Sequence, residues 1–191
     1  QARIDINTGQ RLEEVRDIWS GTGLMFPEAP HLYLIDNWWY MVIAEGGTER
    51  GHAVSIGRSK TPDGPFESCP ANPILSARST ARPIQNTGHA DLVQTPEGSW
   101  IMVMLGMRTR GTTRAFSSLG RESFATNLKW VDGWPVVDAV EVNDFGTVPS
   151  YQINFESQQE PFKTNSELVA VRTFPRDISE ITPQGLKMIG T

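Results

Sequence analysis

Cysteine is almost absent: Cys69 is the only one in 191 residues. A single thiol excludes an internal disulfide and any CxxC or other paired-cysteine zinc spacing. Long apolar runs are missing too, and none approaches the roughly 20 residues a membrane-spanning helix needs. Basic residues are sparse and scattered, 17 against 22 acidic ones, for a net charge of -5. No basic run is interleaved with aromatics, which argues against nucleic acid as a partner. What remains is the make-up of a folded protein, 38% hydrophobic and 20% charged, long enough for one domain or one and a piece. Residue 1 is glutamine and Ile4 already alternates like a strand, so the start of the gene product is expected upstream. The lack of a visible leader therefore leaves a secreted and a cytoplasmic location equally open.

The chain is organised around Pro27-Glu-Ala-Pro-His-Leu-Tyr33. Each proline fixes its own φ and biases the residue before it toward extended geometry, so Phe26 and Ala29 are expected to be extended. Behind them His31–Ile35, a break at Asp36-Asn37, and Trp38–Ile43 predict a hairpin rich in aromatic and β-branched residues. A carboxylate at its mouth, Glu28, can serve as an acid or base; a solvated loop glutamate is the plain alternative.

Around this hairpin the chain reads as strands and turns. Residues 3–6 alternate, and Leu12–Trp19 predicts a strand ended by Ser20-Gly-Thr-Gly23. Gly46-Gly47 lets the backbone turn tightly before a strand at His52–Arg58, and Phe66-Glu67 can begin an outer strand. Residues 69–88, with Pro70, Pro73 and Pro83, read as a long connecting loop. The pattern then restarts with strands at Gly88–Gln94, Trp100–Leu105 and Phe124–Leu128, and a turn at Asp132-Gly133 between two short strands. A polar entry residue, a strand, a turn, an aromatic-led strand and a further strand thus recur at a period of about 60 residues, which suits propeller blades and does not exclude a sandwich. Beyond Asp138 the texture changes: Phe155–Thr164 is polar, with short apolar runs at Leu168–Val171 and Leu186–Ile189.

Glu28-Ala-Pro-His-Leu-Tyr, Ala44-Glu-Gly-Gly-Thr48, Pro73-Ile-Leu75, Gly88-His-Ala-Asp-Leu-Val93, Leu119-Gly-Arg-Glu122 and Asp132-Gly-Trp-Pro135 follow one another in order. Together they resemble glycoside hydrolase family 43, the β-xylosidases and α-L-arabinofuranosidases. The resemblance implies an all-β chain. Residues 1–142 would be the C-terminal part of a five-bladed β-propeller, about blades three to five. Residues 143–191 would be a linker and the start of a C-terminal β-sandwich. It also implies hydrolysis with inversion of xylose- or arabinose-containing oligo- or polysaccharides, as in xylan degradation. One carboxylic acid protonates the leaving oxygen while another carboxylate activates water. By its motif Glu28 would be the general acid. Thr48 would line the sugar site, Arg108 would approach sugar and acids, and His89 would stand on the propeller axis, holding a water or metal. No cofactor would be required, though the axis can take a calcium ion.

The chain departs from the pattern in two ways. Ala29 stands where the family usually has glycine after the acid. The general base and the pKa-modulating residue are aspartates on blades that precede the acid, so the chain is expected to lack them; Asp5 and Asp17 lie in the short lead without the family's motif. A non-catalytic carbohydrate-binding remnant is therefore the alternative. Arg110 competes with Arg108 for the same strand face. Trp38 and Trp39 must point to opposite faces and are expected to serve packing. Glu45 and Glu122 are expected in structural hydrogen bonds, His52 without a catalytic role, and oligomeric state stays open.

Overall fold

A computed structural model describes residues 1–110, 116–142 and 175–189. The chain divides into two compact units, Gln1–Asn143 and Asp144–Thr191.

The first unit holds two antiparallel meanders. Strands β1 (Glu28–Ile35), β2 (Trp38–Glu45), β3 (Ala53–Ser59) and β4 (Glu67–Ser68) lie in that order, with β5 (Leu75–Ser76) also pairing on β3. Strands β6 (Ile84–Gln94), β7 (Trp100–Arg108), β8 (Glu122–Val131) and β9 (Trp134–Val137) form the second sheet. The turns have a mechanism. Asp36 and Asn37 take φ of 49° and 61°, and Asp132 and Gly133 take 51° and 74°. Two consecutive left-handed residues match the right-handed twist of the strands they join.

The sheets pack face to face. Tyr40, Val42, Val54 and Ile56 of the first meet Ile84, Ala90, Leu92, Met102, Met104 and Leu128 of the second in one apolar cluster. At the end carrying the two hairpin turns the seam is aromatic and cationic. The Tyr40 ring lies 4.7 Å from Trp130, and the Tyr40 hydroxyl donates to the Gly133 carbonyl at 2.7 Å. Arg58 sits between Trp38 and Trp134, 4.6 and 4.1 Å from their ring centroids, and also donates to the Gly133 carbonyl. Lys60 covers Trp38 as well, at 3.4 Å. Trp38 is therefore a packing residue, its face already occupied by cations.

The lead departs from expectation. Residues 3–6 make one isolated bridge, Ile4 to Arg11, and 12–19 form no strand. Apolar alternation makes a strand only where an edge is offered for pairing. Here the lead lies across β2 and β3 instead, with Trp19 against Gly57, Thr22 on Glu45, and the Gly46 N–H donating to the Met25 carbonyl at 2.7 Å. The expected long loop over 69–88 is shorter than predicted, because β5 interrupts it and β6 begins at Ile84.

In the second unit, helix α1 (Pro175–Ile178) precedes the hairpin of β10 (Ser179–Thr182) and β11 (Gly185–Met188). The expected runs at 155–164 and 168–171 lie outside the described residues. No helix among the described residues is long and apolar enough to cross a membrane.

Candidate active site

Glu28 and His89 both sit where the first strand of a sheet breaks register. Glu28 pairs with Ala44 and the next pair is His31 with Val42, so β1 advances three residues against two. The extra residue is absorbed by Ala29, at φ 48°, and Phe26 is also left-handed at 54°. This corrects the extended geometry expected before the two prolines. A bulge needs one residue out of the pleat, and that demand outweighs the proline bias. It also gives a physical reason for glycine at the position of Ala29, since only glycine meets a positive φ without strain. Strand β6 breaks register twice, between Gln85 and Gly88 and between Gly88 and Asp91, with Asn86 at φ 58° and His89 at 53°. Bulges re-aim side chains. Both Glu28 and His89 are exposed as a result.

His52, the residue before β3, is only 1% exposed. Its Nδ1 is 2.9 Å from the Asn86 carbonyl, which can only accept, so the proton is on Nδ1. Its Nε2 is buried and meets no hydrogen-bond partner among the described residues. The ring lies flat on Gly88, where a Cβ would stand 2.5 Å from the ring atoms. Burial, first, pushes the His52 pKa down; the Asn86 hydrogen bond and the Glu28 charge oppose it, and the charges of His89 and Arg121 reinforce it. Glu28, His89 and Arg121 thus share the electrostatic neighbourhood of one buried imidazole.

Thr48 is exposed on the loop after β2, and its carbonyl accepts from Asn86 Nδ2 at 3.4 Å, which joins that loop to the segment carrying His89. Arg108, at the end of β7, is bound to Glu122 of β8. Its Nη2 is 2.6 Å from Oε1, and its Nε contacts both carboxylate oxygens at 3.1 and 3.0 Å. This hydrogen-bonded guanidinium holds the Glu122 carboxyl below its usual range. Arg110 bridges to Phe116 through the backbone. The cation whose field reaches His52 is Arg121, in the Leu119-Gly-Arg-Glu122 run taken only as a family marker. Its position next to Glu122 is the one sequence signal that could have raised it, because alternate strand residues face alternate sides.

The other acidic residues divide clearly. Glu45 is fully buried and accepts from the Thr22 N–H and hydroxyl at 2.9 and 2.8 Å. Asp5 accepts from the N–H groups of Asn7 and Thr8 within a turn. Asp91 pairs with His31 at 3.0 Å and accepts from the Tyr33 hydroxyl at 3.3 Å, linking the first strands of the two sheets. Asp17 lines an open groove of about 680 Å³ together with Glu28, Trp19, Pro30, Leu32 and Met41. Among the described residues no group of three His, Cys, Asp or Glu side chains converges as a metal site.

The family model described as "Glycosyl hydrolases family 43" matches residues 1–135. A non-reducing-end α-L-arabinofuranosidase of Bacteroides ovatus is 44% identical over 154 residues, 78% of this chain and 29% of its own. A xylosidase/arabinosidase of Butyrivibrio fibrisolvens is 40% identical over 164 residues, 80% of this chain and 30% of its own. The crystal structure of a xylan β-1,4-xylosidase from Bacillus halodurans superposes with a TM-score of 0.70 at 29% identity, covering 80% of this chain and 31% of that one. The chain thus spans about a third of the length of the relatives it matches.

Proposed function

The chain belongs to family 43 of the glycosyl hydrolases, and from that premise we propose that it carries the acid half of an inverting glycosidase active site. The two meanders are blades of a five-bladed propeller. The substrate class is xylose- or arabinose-containing oligo- or polysaccharide, the class named in the relatives it resembles.

One observation supports this reading most: Glu28, at the start of β1, and His89, at a bulge within β6, come from separate sheets, and the charges of both act on the buried His52. The glutamic acid gives its proton to the glycosidic oxygen as the bond to the anomeric carbon breaks. A carboxylate base takes a proton from water, whose oxygen bonds to that carbon from the opposite face. Thr48 and His89 line the sugar site. Arg108, bound to Glu122, and Arg121, whose charge reaches His52, are the two guanidinium candidates for the sugar. We assign the base and the pKa-modulating aspartate to segments outside these 191 residues.

The test compares substrates. In the complete enzyme Glu28→Ala should slow xylobiose hydrolysis by about 10²–10⁴-fold, the usual worth of general acid catalysis. Aryl β-xylosides and aryl α-arabinofuranosides, whose leaving groups need little protonation, should slow far less. Equal losses on both classes would remove Glu28 from the role of acid. The 191-residue chain alone should show no turnover above its own Glu28→Ala control. Turnover by that chain would place the base within it, and Asp17, which shares the groove with Glu28, would be the first aspartate to mutate, ahead of Asp5 and Asp91.

A further inference from the structure

We propose that His52 is a positioning residue of this site: its buried Nδ1–H holds the Asn86 carbonyl, and with it the doubly bulged segment from Asn86 to His89, in the conformation that aims His89 and reaches back to Thr48. The proposal borrows from the functional reading only what the site is for; the geometry stands without it.

Three observations carry it. Strand β6 loses register on both sides of Gly88, so the sheet ladder does not determine the backbone there, and two non-glycine residues within four positions are left-handed. Sparsely populated backbone conformations persist only where surrounding contacts over-determine them. The His52 ring supplies such contacts twice, through the 2.9 Å hydrogen bond to the Asn86 carbonyl and through its flat contact with Gly88. His52 is itself fixed, since its carbonyl accepts from the Ser76 hydroxyl at 2.9 Å. The second observation is the Asn86 side chain, whose Nδ2 reaches the Thr48 carbonyl. Holding Asn86 therefore holds the loop on the other side of the site. The third is the bare, buried Nε2. A histidine kept only for its bulk leaves no reason for a polar atom without a partner in a position an aromatic or aliphatic residue could fill. A donor is needed at Nδ1, and the imidazole brings Nε2 with it.

Long-range ¹H–¹⁵N spectra of the chain, whose three histidines are resolvable by single substitution, decide the matter. Wild-type His52 should appear as the neutral Nδ1–H tautomer at pH 7. In His52→Asn the side-chain amide can take the place of Nδ1–H, and the His89 ring resonances should stay where they are. In His52→Gln the amide falls near Nε2 instead. The His89 resonances should then move, and in the complete enzyme the dissociation constant for D-xylose should rise by about tenfold, in keeping with the cost of small misplacements. An Nε2–H tautomer in the wild type overturns the proposal, even if both variants fail to fold. So does a His52→Gln chain that loses thermal stability with His89 and xylose affinity unmoved, since that is a purely structural residue. If the complete enzyme does not bind D-xylose while the tautomer and the His89 response hold, the positioning role stands and the functional reading fails.

Discussion

Gly88→Ala tests the packing beneath the site with the least ambiguity. Gly88 is not among the residues with positive φ, so the methyl group meets a steric demand without backbone strain. The new Cβ would lie 2.5 Å from Cγ, Cδ2 and Nε2 of His52, about 1 Å inside an ordinary carbon contact. The ring has nowhere to retreat, being 1% exposed. Overpacking of this kind costs about 1–3 kcal/mol. If the ring tilts away from the Asn86 carbonyl, another ~1 kcal/mol goes with the hydrogen bond. Loss of unfolded-chain freedom returns about 0.4–1 kcal/mol. The net destabilisation is therefore about 2–3 kcal/mol, or roughly 5–10 °C in melting temperature for a unit of this size. Urea titration followed by tryptophan fluorescence is the right assay, because all 6 tryptophans lie in Gln1–Asn143 and report on that unit alone. In a His52→Ala background the same substitution should be nearly neutral. An unchanged midpoint in the wild-type background, or an undiminished cost without the ring, would refute the packing argument.

Ala29→Gly should raise stability by about 0.5–1 kcal/mol, since the relief of a left-handed alanine exceeds the added chain entropy; a lower urea midpoint speaks against the bulge. The lowered His52 pKa means the unfolded chain takes up its proton first. Its contribution to stability should be complete above about pH 6.5 and lost as pH falls below that value, and melting curves of His52→Asn should lack this component. Glu122, likewise lowered by Arg108, should add a loss at lower pH, beginning near the ordinary carboxylate range, that Arg108→Met removes. Arg58→Ala strips two ring contacts and a hydrogen bond to Gly133; it should cost about 2–4 kcal/mol, read by the same fluorescence transition.

Much of the blade architecture was legible because its signals are local. Asp36-Asn37 and Asp132-Gly133 carry turn chemistry that needs no partner, and Trp38–Glu45 is so rich in aromatic and β-branched residues that it reads as a strand in any context. What escaped depends on neighbours far away in sequence. Val15 and Ile18 are β-branched and favour a strand, yet that segment docks on β3 through Trp19 and Gly57. Strand β6 starts four residues before its obvious motif, since its bulges break the period of two that betrays a strand. The site divides in the same way. Glu28 and His89 are visible in their motifs, whereas His52, just before an apolar strand, looks like filler until its Nδ1 is seen on a bulge 34 residues away. Arg108 and Arg110 could not be told apart, because that Arg108 is spent on Glu122 follows from pairing between β7 and β8.

The cluster of Trp38, Arg58, Tyr40, Trp134 and Gly133 binds the sheets together at the end away from Glu28. At the Glu28 end a second fastening joins them, His52 to the Asn86 carbonyl and Asn86 to the Thr48 carbonyl. The pair of plates is therefore pinned at both ends. The Thr48 loop can change length or sequence while both pins hold, provided that one carbonyl stays on Asn86.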